Sequence, residues 1–346
     1  MSATPDAAGR GDSPHLIDRH GRRARDLRVS LTDRCNLRCT YCMPADGLDW
    51  QPAGELLTDD ELVRVITVAV QRLGIEEIRF TGGEPLLRKG LAGILARVGA
   101  LRPRPELSLT TNGIGFARRA DEFVAAGLDR INISLDSLDA DTFERITRRR
   151  RLPDVLAALE AAATAGLTPV KINVVLLRGV NDHEAPDLLR FALDHGYQLR
   201  FIEQMPLDAG HIWSRERMVT ADEIQQRLSA RFDLTPDPGA RLGEPAELFR
   251  VDGGPATVGI IASVTRPFCG DCDRTRLTAD GQIRTCLFSR AETDLRAILR
   301  GGGPADRIDE DIARLWRATT WGKLPGHGID DPSFLQPDRP MSAIGG

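Results

Sequence analysis

Lysine is almost missing from this 346-residue chain: of 46 cationic residues, only Lys89, Lys171 and Lys323 are lysines. A base composition that favours arginine codons accounts for most of that bias. A lysine kept among so many arginines can still mark a place where a planar guanidinium will not serve. An excess of positive charge is missing too. The 46 cations face 50 anions, a net charge of −4, which excludes a global basic field for nucleic acid. No apolar run approaches the ~20 residues of a membrane helix. Residues 1–25 are polar and carry no apolar core of a signal peptide, so cytoplasm is the expected compartment and no membrane is expected as a partner. Cysteine is scarce. Six residues fall in two sets of three: Cys35, Cys39, Cys42 and Cys269, Cys272, Cys286. An odd number in each set, in a chain expected to stay in a reducing compartment, excludes a disulfide framework.

At ~150 residues per domain, the length suggests two domains, or one large α/β barrel with an appendage. Residues 1–22 are rich in Gly, Asp, Ser and Arg and read as a mobile tail. Strand-like runs follow at 27–31, 77–80, 107–110, 130–135, 170–177 and 198–205. Amphipathic helical patterns lie between them near 58–73, 88–101, 118–126, 153–165 and 184–195, the first opened by a Thr58/Glu61 capping box. Alternation of this kind predicts a parallel sheet with right-handed crossovers. The expected fold is α/β: an open, partial (β/α)6 TIM-like barrel over residues 23–235, followed by a smaller C-terminal region over 236–346. In that region 234–247 reads as a linker, 257–265 as a strand, and 274–278 with 282–286 as a hairpin. Helices are expected near 292–300 and 306–318.

The strand faces are unusual. With period two, Arg28 and Ser30 share a face, as do Arg79 and Thr81; Ser108, Thr110 and Asn112; Asn132, Ser134 and Asp136; and Lys171 and Asn173. The opposite faces are apolar and suit packing against helices. A packed barrel lumen would be Val, Ile and Leu. This one is cationic and polar, so it should hold a large polar ligand and water.

Cys35, Cys39 and Cys42 are separated by three and then two residues, just after the first strand. That is the carboxyl rim, where barrel active sites form. Three thiolates on one tight loop can hold three irons of a cubane cluster and leave the fourth iron open. Zinc is the alternative, but it prefers four ligands, and no fourth Cys or His lies nearby. Thr81-Gly82-Gly83-Glu84-Pro85 follows the second strand. It reads as a plain turn, or as a loop whose glycines let backbone approach a ligand while Glu84 receives an ammonium group. Cys269, Cys272 and Cys286, separated by two and thirteen residues, fit zinc with a distant fourth ligand or a second three-thiolate iron–sulfur cluster. Arg274 and Arg276 share one side of the proposed hairpin strand, as an anion clamp or as a solvated edge.

The first triplet, with an aromatic before its last Cys, resembles the signature of radical S-adenosylmethionine (SAM) enzymes, and the Gly82-Gly83-Glu84-Pro85 run resembles their SAM-binding motif. Adding the second triplet, the arginine pair and Gly345-Gly346, the chain is similar to one branch, the GTP 3′,8-cyclases of molybdenum cofactor biosynthesis. Matching stretches are residues 27–36, 78–85, 110–113, 132–138, 171–176, 199–203 and 268–276.

The resemblance implies two 4Fe-4S clusters, with SAM cleaved at the one held by Cys35, Cys39 and Cys42. It implies SAM contacts at Tyr41, Gly83, Glu84, Ser134 and Met205. Cys269, Cys272 and Cys286 are implied to hold the cluster that meets the guanine of GTP. Arg28, Arg79, Thr110, Lys171, Arg274 and Arg276 are implied to contact GTP. It further implies a low-potential electron donor, a monomer or homodimer, and a product used by cyclic pyranopterin monophosphate synthase. The alternative is a radical SAM enzyme acting on a peptide or other nucleotide, with the second cluster as an electron relay. Residues 148–151, four arginines, read as a solvated loop that could steer a triphosphate, and His183, His195 and His211 show no ligand spacing.

Overall fold

The computed structural model describes residues 13–239 and 243–345. Residues 1–12 of the expected tail, 240–242 of the expected linker, and Gly346 lie outside the described residues. Thr58 caps α1 (Asp59–Leu73): its hydroxyl accepts from the Glu61 N–H, and the Glu61 carboxylate answers to the Thr58 N–H, as the capping box predicts. The same device at Thr220 and Glu223 opens α7 (Ala221–Ser229).

Six strands lie parallel and in chain order: β1 (Asp26–Ser30), β2 (Glu77–Thr81), β3 (Glu106–Thr111), β4 (Arg130–Ser134), β5 (Lys171–Val175) and β6 (Gln198–Ile202). Helices α1, α2 (Leu91–Gly99), α3 (Ala120–Ala125), α4 (Ala140–Thr147), α5 (Leu152–Thr164) and α6 (Ala185–Asp194) fill the crossovers. Leu27, Val29, Ile78, Phe80, Ile131, Ile133, Ile172, Val174, Leu199 and Phe201 are buried between strands and helices in one core. The alternation seen in the sequence is therefore real. Two helices of the barrel were not expected. α4 is short and charge-rich, but Asp139 caps it and Phe143 and Ile146 bury one side. α7 completes a sixth βα unit between β6 and β7.

The C-terminal chain does not stand apart from the sheet. β9 (Thr257–Ile261) pairs parallel to β6, and β8 (Glu247–Val251) and β7 (Leu234–Pro236) continue antiparallel beyond it. Part of the expected linker is therefore strand. At the other edge, β10 (Arg274–Leu277) pairs parallel to β1, and β11 (Gln282–Arg284) and β12 (Thr293–Asp294) extend it. Among the described residues, this makes one twelve-stranded sheet with β12 and β7 as unpaired ends, an open barrel. α8 (Arg296–Arg300) and α9 (Ala305–Trp321) follow, and α10 (Met341–Ile344) returns to the rim. The expected tail also needs correction. Leu16 is fully buried in the core and Asp18 is 1% exposed, so packed chain begins before residue 22.

Register brings the polar faces into rows across the lumen. Arg276, Arg28, Arg79 and Ser108 form one. Thr110, Asn132, Lys171 and Gln198 form a second. Ser134, Asn173, Arg200 and Gly259 form a third. Gly259 makes room for its neighbour: a Cβ there would lie 3.2 Å from Arg200 Cγ.

Candidate active site

Two cavities meet inside the barrel and share Thr110, Asn173, Ile202 and Met205 as common wall. The rim cavity, about 1120 Å³ with its open mouth, is lined by Cys35, Cys39, Cys42, Tyr41, Gly83, Ser134 and Asp136. The second, about 960 Å³, is lined by Cys269, Cys272, Cys286, Arg28, Arg79, Arg200, Arg274 and Arg276. Two of the sequence-derived site residues line neither cavity, namely Glu84 and Lys171.

The first cysteine loop is held from both sides. Arg148, in a left-handed conformation at the end of α4, donates to the carbonyls of Arg38 (2.8 Å) and Met43 (3.1 Å). This gives one member of the arginine run a bracing role; Arg150 and Arg151 instead form exposed ion pairs with Glu144 and Asp154. Opposite, the Gly83 and Glu84 N–H groups donate to the carbonyls of Thr32 and Arg34, each at 2.7 Å. A Cβ at Gly83 would fall 2.3 Å from the Arg34 oxygen. The glycine pair thus permits close docking of the chain's own cysteine loop. Glu84 faces inward to the same end. Its carboxylate accepts from the Leu86 N–H, the Thr111 hydroxyl and the Asn112 N–H at 2.7–2.9 Å. These bonds brace the rim, and Glu84 is not among the residues lining the cavity. Asn112 in turn reaches Asn36 Oδ1 at 2.7 Å and Cys35 Sγ at 3.9 Å. The Tyr41 hydroxyl donates to Asp136 Oδ2 at 2.8 Å. Burial raises the Asp136 carboxyl to about 6 against its donors Val175 N–H and Tyr41.

All six cysteines are free thiols. Burial pushes Cys35 up to about 11, Cys42 to about 12 and Cys39 well above its usual range, with the neighbouring thiolates adding repulsion at Cys39 and Cys42. Three thiols on one loop, each costly to ionise alone, call for a shared positive partner if they are to act as thiolates. Among the described residues, no three His, Cys, Asp or Glu side chains converge tightly enough to hold a single ion. A donor set of three cysteines on one loop has the sulfur chemistry of a cubane iron cluster with one iron left open.

At the second triplet, Cys272 differs from the rest. Arg274 Nη2 and Lys323 Nζ each approach its sulfur at 3.4 Å. Burial opposes ionisation, but Arg274 and then Lys323 outweigh it and bring the thiol down to about 6. Cys269 stays above its usual range through burial, eased by the His327 N–H.

The arginines crowd the second cavity. Arg28 is tied to Asp26 at 3.0–3.1 Å. Burial, and next the Arg28 charge, lower both Arg79 and Arg276 to about 9. Buried Arg79 Nε, Arg200 Nε, Arg274 Nε and Asn173 Oδ1 have no partner. Such orphans suit a multiply charged anion with hydrogen-bonding edges. Lys171 sits one row below Asn173 and Arg200, lowered to about 8 by burial and then by Arg200. Arg200 and Asp136 carry more of the site than the sequence reading assigned them. Arg200 had a signal: it alternates with Leu199 and Phe201 as Arg79 does with Ile78 and Phe80. The main chain of residues 341–345 completes the roof. Arg276 donates to the Gly345 carbonyl, and Ser342 lines the rim cavity.

The model of the Radical SAM superfamily matches residues 29–192, and that of Molybdenum Cofactor Synthesis C matches residues 197–329. Each spans one cysteine triplet. A crystal structure of Streptococcus suis SuiB bound to S-adenosylmethionine shares the fold, with a TM-score of 0.58 at 12% identity over 89% of this chain and 68% of that one. The open barrel and its rim loop thus define a radical SAM fold. A GTP 3′,8-cyclase of Streptomyces coelicolor is 64% identical over 98% of this chain and 99% of its own length. One from Mycolicibacterium smegmatis is 61% identical over 97% and 92%. The chain belongs to the GTP 3′,8-cyclase family. Among the described residues, no helix is long and apolar enough to cross a membrane.

Proposed function

We propose that the protein cyclises GTP to (8S)-3′,8-cyclo-7,8-dihydroguanosine 5′-triphosphate, the first step of molybdenum cofactor biosynthesis. The observation that carries this reading is a pair of adjoining cavities, each lined by one cysteine triplet, with unpartnered arginine atoms along the wall of the second. Cys35, Cys39 and Cys42 would hold one 4Fe-4S cluster, with Tyr41, Gly83, Ser134 and Met205 beside its SAM. Cys269, Cys272 and Cys286 would hold the other. When bound, the first cluster and SAM supply a 5′-deoxyadenosyl radical able to take the ribose 3′ hydrogen.

The chain's own residues do the rest. Arg28, Arg79, Arg200, Arg274 and Arg276, with Thr110 and Asn173, orient the nucleotide. Their charges match a triphosphate of about four negative charges in a cavity of low dielectric. Lys171, one row below Asn173 and Arg200 and one row above Arg28 and Arg79, reinforces that field. Met205 and Ile202, shared by both cavities, place the ribose between the SAM side and the guanine side. Asp136 fixes the Tyr41 ring on the rim. Residues 23–235 form the SAM-side unit in this reading and 236–346 the guanine side. A low-potential electron donor in the cytoplasm completes the cycle, and cyclic pyranopterin monophosphate synthase takes the product.

Anaerobically reconstituted protein should carry about eight irons and consume GTP with SAM and dithionite. No GTP consumption would refute the reading. Cys286→Ser should lose half the iron and keep SAM cleavage.

A further inference from the structure

Lys323 follows α9 and is one of three lysines in the chain. Its side chain lies against the second cysteine triplet and is 4% exposed. The ammonium donates to the carbonyl of Cys272 (3.0 Å), the carbonyl of Arg274 (3.0 Å) and Cys272 Sγ (3.4 Å). Three donors on one nitrogen thus meet three acceptors. A planar guanidinium has no such tripod, which explains why lysine stands here in an arginine-rich chain. By gripping the Cys272 and Arg274 carbonyls, Lys323 also fixes the short strand that carries the Arg274 guanidinium to the same sulfur at 3.4 Å. Among the described residues, Cys272 is the one cysteine whose sulfur accepts from two cationic side chains.

We propose that Lys323 is a positioning residue of the second cluster that sets its reduction potential, by holding Cys272 and placing a buried positive charge on its sulfur. The proposal rests on reading that triplet as a cluster site. A reduced cluster carries one more negative charge than an oxidised one. Hydrogen bonds and charge at the ligating sulfur favour the reduced form and raise the potential. Among the described residues, no cationic side chain donates to a sulfur of the first triplet, where the Cys35 sulfur accepts from the Leu37 N–H and Asn112, so the two sites should respond differently.

The test is a redox titration of reconstituted holoenzyme followed by electron paramagnetic resonance, on wild type, Lys323→Met, Lys323→Gln and Lys323→Arg. Wild type comes first: iron for one cluster only would overturn the two-cluster reading and this proposal with it. With both clusters present, Lys323→Met should shift the second signal to more negative potential and leave the first unmoved. A second-cluster potential equal to wild type would overturn the proposal alone. If Lys323→Met loses that cluster, the other two variants decide. A negative shift in Lys323→Gln with a near-native potential in Lys323→Arg sustains it. Equal potentials in the two, or loss of the cluster from all three, would leave Lys323 a purely structural role.

Discussion

Arg276 donates a hydrogen bond to the carbonyl of Gly345, 69 positions further along the chain. The contact closes the lumen over β1 and β2. Gly345 has φ +83, and a Cβ there would lie 2.7 Å from Thr81 Cγ2. Gly345→Ala therefore adds a clash to a backbone conformation that itself costs about 1–3 kcal/mol for other residues. The variant should release residues 341–345 from the roof, lower turnover, and become sensitive to carboxypeptidase while its fold persists. Native turnover in Gly345→Ala would separate this contact from catalysis.

Arg200 is a direct test of the anion site. It is 4% exposed, its Nε has no partner, and its nearest carboxylate is Glu244 at 3.7 Å. Losing one charge-assisted contact to a phosphate costs about 1.5–3 kcal/mol, roughly ten- to hundredfold. Arg200→Ala should raise KM for GTP by that factor, with SAM binding unchanged. Initial-rate measurements at varied GTP decide it, and an unchanged KM would remove Arg200 from the site.

Glu84 predicts a pH dependence of stability. Burial raises its carboxyl from 4.5 to about 7 in the folded chain despite three donors. Between those values the folded state keeps a proton that the unfolded state releases. Stability should therefore fall as pH rises through that window and level off above it. Glu84→Gln removes this group's share of the slope. Urea midpoints of iron-free protein across pH 5–8 would show it; an identical slope in both proteins would contradict the assignment.

Cys272 should be the most reactive thiol of the iron-free chain. Held at about 6, it is mostly thiolate at neutral pH, whereas Cys35 and Cys42, at about 11 and 12, stay protonated. Iodoacetamide labelling read by mass spectrometry should find Cys272 first, with a rate that rises through pH 6 and shifts upward in Arg274→Ala. Earlier labelling of Cys35 would count against it.

Much of this was legible because alternation is local. Leu27 and Val29 against Arg28 and Ser30 declare a strand with one dry and one wet face, and the rows of the lumen follow. What was not legible depends on pairing between distant segments. Nothing in residues 274–277 says that they lie beside β1, and nothing in Lys323 says that it ends on Cys272. Glu84 is the hardest to read, because a carboxylate beside two glycines looks the same whether it faces a ligand or its own backbone. α4 escaped because its apolar side is only a few residues wide.

The place of β1 also orders how the molecule matures. Among the described strands it is the earliest in the chain, yet it lies between β2 and β10. One of its edges stays bare until residues 274–277 emerge, while β2 to β6 can dock one after another. The Cys35 loop and its Gly83 brace can therefore assemble on a nascent chain. The Cys269–Cys286 site and the roof at Gly345 cannot. The three thiols of the rim site are therefore synthesised well before those of the second site, and a chain stalled before residue 274 would display half a lumen with an exposed strand edge.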